Sequence, residues 1–263
     1  MKKPLYSLAI LVGLLRLNSL HSFGIHSFTV AARPSNTRTT LVDDEAAIKF
    51  EAPEEQATAA ATALSLTYED AIRVIDECSV QERPNEQLYN AVRLLEQKAY
   101  KFYPGMSDKL DLWDRAQGSW KLIFSTGDAK TREFHPPTYL LPFSFAMIRG
   151  EHFGNGFGLG ENLILLSVLQ KHYFNPRIRY MAVTVQDIYV GGHKATDFFP
   201  DCVKNAINLG KTPADFVDKP CPAFCLLAAT ENALVARGNQ SGALAIWKRL
   251  PCDMHRVAYK DLA

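Results

Sequence analysis

Side chains able to do chemistry are few in this chain and widely spaced. Seven histidines and five cysteines are spread over 263 residues. His172 and His193, with Asp187 or Asp197 nearby, form one grouping with the makings of an acid–base or metal site, provided adjacent strands bring the imidazoles together. No G-x-S-x-G and no H-E-x-x-H motif occurs. Gly154, Gly156, Gly158 and Gly160 recur at every second position. They do not make a phosphate loop: G-x-x-x-x-G-K-[ST] is missing, and Leu159 or Glu161 stands where G-x-G-x-x-G needs its third glycine. Glycine at period two puts all four on one side of a strand or loop, which lets a strand curve sharply or leaves room for a bulky ligand. Cys78, Cys202, Cys221, Cys225 and Cys252 include no C-x-x-C pair. They read as buried or half-buried thiols, with a Cys221–Cys225 disulfide as the alternative. No catalytic residue and no metal ligand set is assigned.

What the chain has in quantity is apolar surface. Hydrophobic residues make up 47% of it and charged residues 22%, and the net charge is +1. A general nucleic-acid binder carries a strong basic excess, so that class is excluded. A pocket for a lipophile needs apolar, aromatic walls and few polar groups. Trp120, Phe124, Tyr139, Phe143, Phe145, Phe157, Tyr173 and Tyr180 are the candidate walls, and taken singly each reads as ordinary core before it reads as a wall. Arg237 and Arg249 lie near the C-terminus, where either can stack on Trp120 in a cation–π contact worth ~0.5–2 kcal/mol. Arg237 is assigned a structural role, with an anionic lipid head as its other candidate partner.

Strands must position these groups. Residues 117–126 read Q-G-S-W-K-L-I-F-S-T, which puts Trp120, Leu122 and Phe124 on one face and Lys121, Ile123 and Ser125 on the other. Further strands are expected around 139–149, 163–174, 178–190 and 224–229, with a hairpin from 233–237 to 243–249. Asn175-Pro176 and Gly191-Gly192 supply turns. Asn239-Gln240-Ser241 spells a glycosylation sequon, but between two strands it reads as the hairpin turn. Residues 200–209 suggest a short helix. This spacing predicts an antiparallel barrel or sandwich, and a barrel of about eight strands holds one small ligand.

The chain before Gly118 reads helical. Thr67 is a fitting N-cap, with Glu69 and Asp70 in the first turn. Leu88, Val92, Leu95, Ala99 and Phe102 recur at helical spacing until Tyr103-Pro104-Gly105, and a short helix from Ser107 runs through Trp113 to Gln117. These helices, within 67–117, are expected to plug or flank the barrel at 118–250. Residues 251–263 form a C-terminal tail. At the other end, residues 1–22 read as a secretory signal peptide: Lys2 and Lys3, then an apolar run too short to span a bilayer. Residues 23–40 contain Arg33 and Arg38, many Ser and Thr and no acid, which is transit-peptide composition. Residues 41–64 are acidic and alanine-rich and read as a linker.

A glycine two residues before the first strand's tryptophan resembles the start of lipocalin-like barrels. More specifically, L-Y-N-A-V-R-L-L-E (88–96), G-S-W-K-L-I-F-S-T (118–126) and the closing V-A-R-G…G-A-L-A-I-W-K-R (235–249) are together similar to the plastid lipid-associated proteins, the fibrillins. The resemblance covers roughly residues 65–250. It departs at Thr230 and Leu234, where many members carry an acid and an arginine. It implies an α+β, mainly β fold: an antiparallel lipocalin-like barrel preceded by two or three helices. It also implies a non-enzymatic plastid protein that binds or organises a carotenoid, quinone or acyl lipid at thylakoids or plastoglobules, with no further cofactor. The paired leader resembles that of algae whose plastids derive from a red secondary endosymbiont. Two other readings stand beside this one. One is an interaction protein docked on thylakoid complexes with a filled core; the other is an enzyme acting on a lipophile inside the barrel.

Overall fold

Eight antiparallel strands close into a ring. In the computed structural model, which describes residues 66–101, 106–127, 129–136, 143–216 and 220–262, they are β1 (Gly118–Ser125), β2 (Phe143–Arg149), β3 (His152–Gly160), β4 (Leu163–Asn175), β5 (Tyr180–Val190), β7 (Ala223–Ala229), β8 (Ala233–Gly238) and β9 (Leu244–Arg249). Each pairs with its neighbour in chain order, β9 returns to β1, and β7 joins the start of β5. The two-residue β6 (His193–Lys194) hangs on the end of β5, outside the ring. The expected antiparallel, lipocalin-like barrel is therefore the fold. The leader, the acidic segment at 41–64 and Tyr139 lie outside the described residues.

Helices cover the barrel as their caps and apolar stripes dictate. Helix α1 (Tyr68–Gln81) starts at Thr67, whose hydroxyl accepts from the Asp70 backbone while the Asp70 carboxylate accepts from Thr67 in return. Such a reciprocal cap satisfies two donors that a helix start leaves open. Val74, Ile75 and Cys78 of α1 and Leu88, Val92 and Leu95 of α2 (Leu88–Lys101) form one buried cluster with Ile123, Val235, Leu244 and Ile246. The pair thus lies on the outer face of β1, β8 and β9. Residues 251–263, expected as a tail, carry α5 (Met254–Ala258). Met254, Ala258 and Tyr259 pack with Phe143, Phe145, Met147 and Tyr189 on the opposite outer face.

Helix α3 (Met106–Ala116) is different: it packs on the barrel's inside. Leu112 and Ala116 share a buried cluster with Trp120, Ile148, Phe153, Met181, Leu226 and Trp247, residues from six strands around the ring. The helix therefore plugs one end.

Both faces of most strands are buried, so apolar residues run on without alternation. β2 is buried at six successive positions, Phe143 to Ile148. This pattern hides which side chain points inward, and the register has to decide it.

Candidate functional site

Registers and contacts assign the inward set. Trp120 pairs with Ala146 on β2, Ala146 with Asn155 on β3, Asn155 with Val168 on β4, and Val168 with Ile188 on β5. Their strand neighbours face out: Ser167 donates from its hydroxyl to the Ala258 carbonyl of α5, and Tyr189 packs on Tyr259 with rings 4.9 Å apart.

The plugged end is closed by hydrogen bonds as well as by packing. The Trp120 indole donates to the Ala116 carbonyl at 2.9 Å, capping the end of α3. Arg249, the cross-strand partner of Trp120, lays its guanidinium over the indole, 4.0 Å from the ring centre. It donates to the carbonyls of Arg115, Gln117, Thr230 and Glu231. Desolvation lowers its pKa, opposed by the carboxylate of Glu231. Gly118 is needed beneath it: its φ is +126°, and a Cβ there would sit 2.7 Å from the Arg249 guanidinium. Of the two arginines read as partners for Trp120, Arg249 takes the place.

Arg237 faces outward and is structural. It forms a two-pronged ion pair with the Glu96 carboxylate of α2, with Nη2–Oε2 at 2.8 Å, and also donates to the Gly242 carbonyl. Glu96 is buried and also pairs with Arg93. The pair clamps α2 to the closing hairpin, and no lipid head reaches it inside the barrel.

Several expected pocket walls lie outside the barrel. Phe124 belongs with Ile123 in the cluster under α1 and α2. A bulge explains it: Leu122 pairs with Trp247, but Phe124 pairs with Ile246, so one extra residue turns Phe124 to the outer face. Phe143 and Phe145 lie beneath α5. Tyr173 is 37% exposed, next to the inward His172. Tyr180 is outward beside the inward Met181, and its hydroxyl accepts from Asn239 at 3.5 Å. Trp120 and Phe157 alone of the described candidates point inward.

The glycine stripe also faces outward. A Cβ on Gly154 would lie 2.4 Å from the Tyr259 hydroxyl, and one on Gly156 would strike the Leu166 carbonyl and the Phe145 ring. At Gly154, Gly156 and Gly158 the missing side chains make room for the C-terminal segment and the neighbouring strands rather than for a ligand.

The proposed histidine grouping does not assemble. His172 packs against Trp113 in a tilted arrangement with ring centres 4.7 Å apart, and its Nε2 meets the Gly150 carbonyl at 2.6 Å. Burial pushes this imidazole below its ordinary value of 6.5. His193 sits on β6 with the Asp261 carboxylate at 3.2 Å, while Asp187 pairs with Lys194 at 2.8 Å. Among the described residues no three His, Cys, Asp or Glu could hold a metal ion together. Cys221 and Cys225 aim at different carbonyls, those of Val183 and Ile178.

Towards the other end the interior changes character. Phe157, Leu166 and Ile188 are inward and buried, and Phe199, from the segment after β6, packs on them together with Val203 and Ile207. That segment includes α4 (Asp201–Ala206), within the stretch 200–209 read as a short helix. It lies across the mouth. Around the mouth Leu159, Leu163, Val190 and Phe198 are exposed, Phe198 by 85%. Between mouth and plug the inward Asn155, Val168 and Val185 keep part of their surface accessible, although inward residues above and below them are buried. Gln170, adjoining all three, is 4% exposed; its Nε2 donates to Asn155 Oδ1 at 3.4 Å, and its Oε1 is buried with no partner. The sequence reading missed Asn155 and Gln170, which stand out only as amides within apolar strands.

No family model, no curated protein and no solved structure matches this chain.

Proposed function

We propose that the barrel binds or organises a lipophilic molecule, a carotenoid, quinone or acyl lipid, without catalysing its conversion. The observation that carries this reading is the partial accessibility of Asn155, Val168 and Val185 inside a ring whose other inward residues are almost all apolar and buried. Apolar walls with a few placed polar groups are what a lipophile site requires. The exposed Leu159, Leu163, Val190 and Phe198 around the mouth suit contact with a lipid surface. Residues 1–40 resemble a bipartite plastid leader, so the surface we propose is a thylakoid or plastoglobule.

The test is mass spectrometry of organic extracts from the protein purified out of plastid membranes, beside a Val168→Phe variant that fills the accessible interior. A stoichiometric pigment, quinone or lipid, lost in the variant, is the expected result. A bare protein that still travels with a membrane complex overturns the carrier reading and supports docking by the apolar rim.

A further inference from the structure

The geometry points to an uncharged, hydroxyl-bearing lipophile, an alcohol or phenol, as the guest, held by the Gln170–Asn155 amide pair. This rests on the carrier reading and narrows it.

Two observations carry it. The first is the orphaned acceptor. Gln170 is 4% exposed and inward, paired across the ladder with Val185 and Phe153. One amide hydrogen goes to Asn155 Oδ1, while Oε1 is buried and meets no donor. A buried polar oxygen without a partner is costly, and nearly all such atoms find one in protein, water or ligand. Rotation of the Gln170 amide toward the accessible side of Asn155, Val168 and Val185 would let an O–H group supply the missing donor, its own oxygen accepting from the amide N–H groups of Asn155 or Gln170. A ketone or hydrocarbon cannot donate to Oε1.

The second is charge. Among the described residues facing into the ring between plug and mouth, none is Asp, Glu or Lys. Arg249 at the plug is committed to four backbone carbonyls and the Trp120 ring. An ionised carboxylate or phosphate would enter with no countercharge, which burial penalises heavily. A fatty acid anion or a charged lipid head is thereby disfavoured against the corresponding alcohol.

The experiment is displacement of Nile red from the full chain by dodecan-1-ol, dodecanoate and dodecane at pH 8. Dodecan-1-ol is expected to displace the dye at a concentration at least tenfold lower than either of the others. Gln170→Met, which keeps the volume and removes the acceptor, is expected to erase that advantage, with each displacement referred to the variant's own affinity for Nile red. Asn155→Leu serves as a second variant, and a retained thermal transition shows that either is folded. Equal displacement by dodecanoate, or an alcohol advantage that survives both variants, overturns the inference and leaves the carrier reading standing. If neither Nile red nor any of the three compounds binds, the carrier reading falls, and this inference with it.

Discussion

Val168→Phe and Val183→Phe make a matched pair that tests whether the barrel is hollow. Both valines face inward, on adjacent strands; Val183 is 5% exposed and packed in the cluster around Trp120, whereas Val168 keeps part of its surface accessible. The substitution adds about four carbons, and roughly 0.8 kcal/mol per buried methylene bounds the gain near 3 kcal/mol. Ring ordering and imperfect fit reduce that to about 1 kcal/mol where space exists. Where none exists, overpacking costs about 1–3 kcal/mol. The two variants should therefore move in opposite directions. For a folded unit of this size 1 kcal/mol shifts Tm by roughly 2–4 °C. Thermal unfolding followed by near-ultraviolet circular dichroism should show Val168→Phe unchanged or higher by about that amount and Val183→Phe clearly lower. Nile red affinity should drop at least tenfold in Val168→Phe. A Val168→Phe protein destabilised as much as Val183→Phe would mean that side chains already fill the ring there, and the reasoning from accessible inward residues would fail.

Three further outcomes follow from the geometry. Arg249→Leu leaves four carbonyls without their donor and uncovers Trp120, so urea unfolding should register a loss of about 2–4 kcal/mol. Arg249→Lys should recover less than half, because an ammonium cannot reproduce the planar fork; full recovery would show that charge alone matters. Gly154→Ala drives a methyl into Tyr259, whose hydroxyl bonds the Val168 carbonyl at 3.0 Å. It should cost about 1–3 kcal/mol and raise proteolysis of the C-terminal segment, while an unchanged Tm would refute the contact. Burial holds the His172 imidazole below 6.5, so the unfolded chain binds its proton more readily. The stability from this group is then full above 6.5 and is lost as pH falls from there through the lower folded value. Urea midpoints between pH 8 and 5 should fall less steeply in His172→Gln than in the parent; identical slopes would assign the acid sensitivity elsewhere, with His255, also lowered by burial, the next group to test.

Much of the architecture was legible because it rests on local rules. Thr67 with Asp70 announces a helix start, and 238–242 between two apolar runs announces a hairpin; both form as read. Arg249 falls opposite Trp120 because β1 and β9 are the ring's first and last strands, and a closed barrel must join them. Which side chains face the interior was much less legible. Phe124 is turned outward by one bulged residue, and a bulge leaves little trace in an apolar run. Phe143 and Phe145 look like pocket walls by type, but α5 covers them from outside.

The sequence by itself determined most of the strand segments, though not β3, where several of them turn and that helices precede them, since period, caps and turn residues act over a few positions. Only the tertiary structure decided which face of each strand is inside. β2 is buried on both faces, by α5 without and by the barrel contents within, so its composition is apolar on both. Hydrophobic burial is non-directional and cannot tell the two apart. Closure of the ring makes that choice, and with it turns Asn155, Val168, Gln170 and Val185 to the interior, where we propose the guest sits.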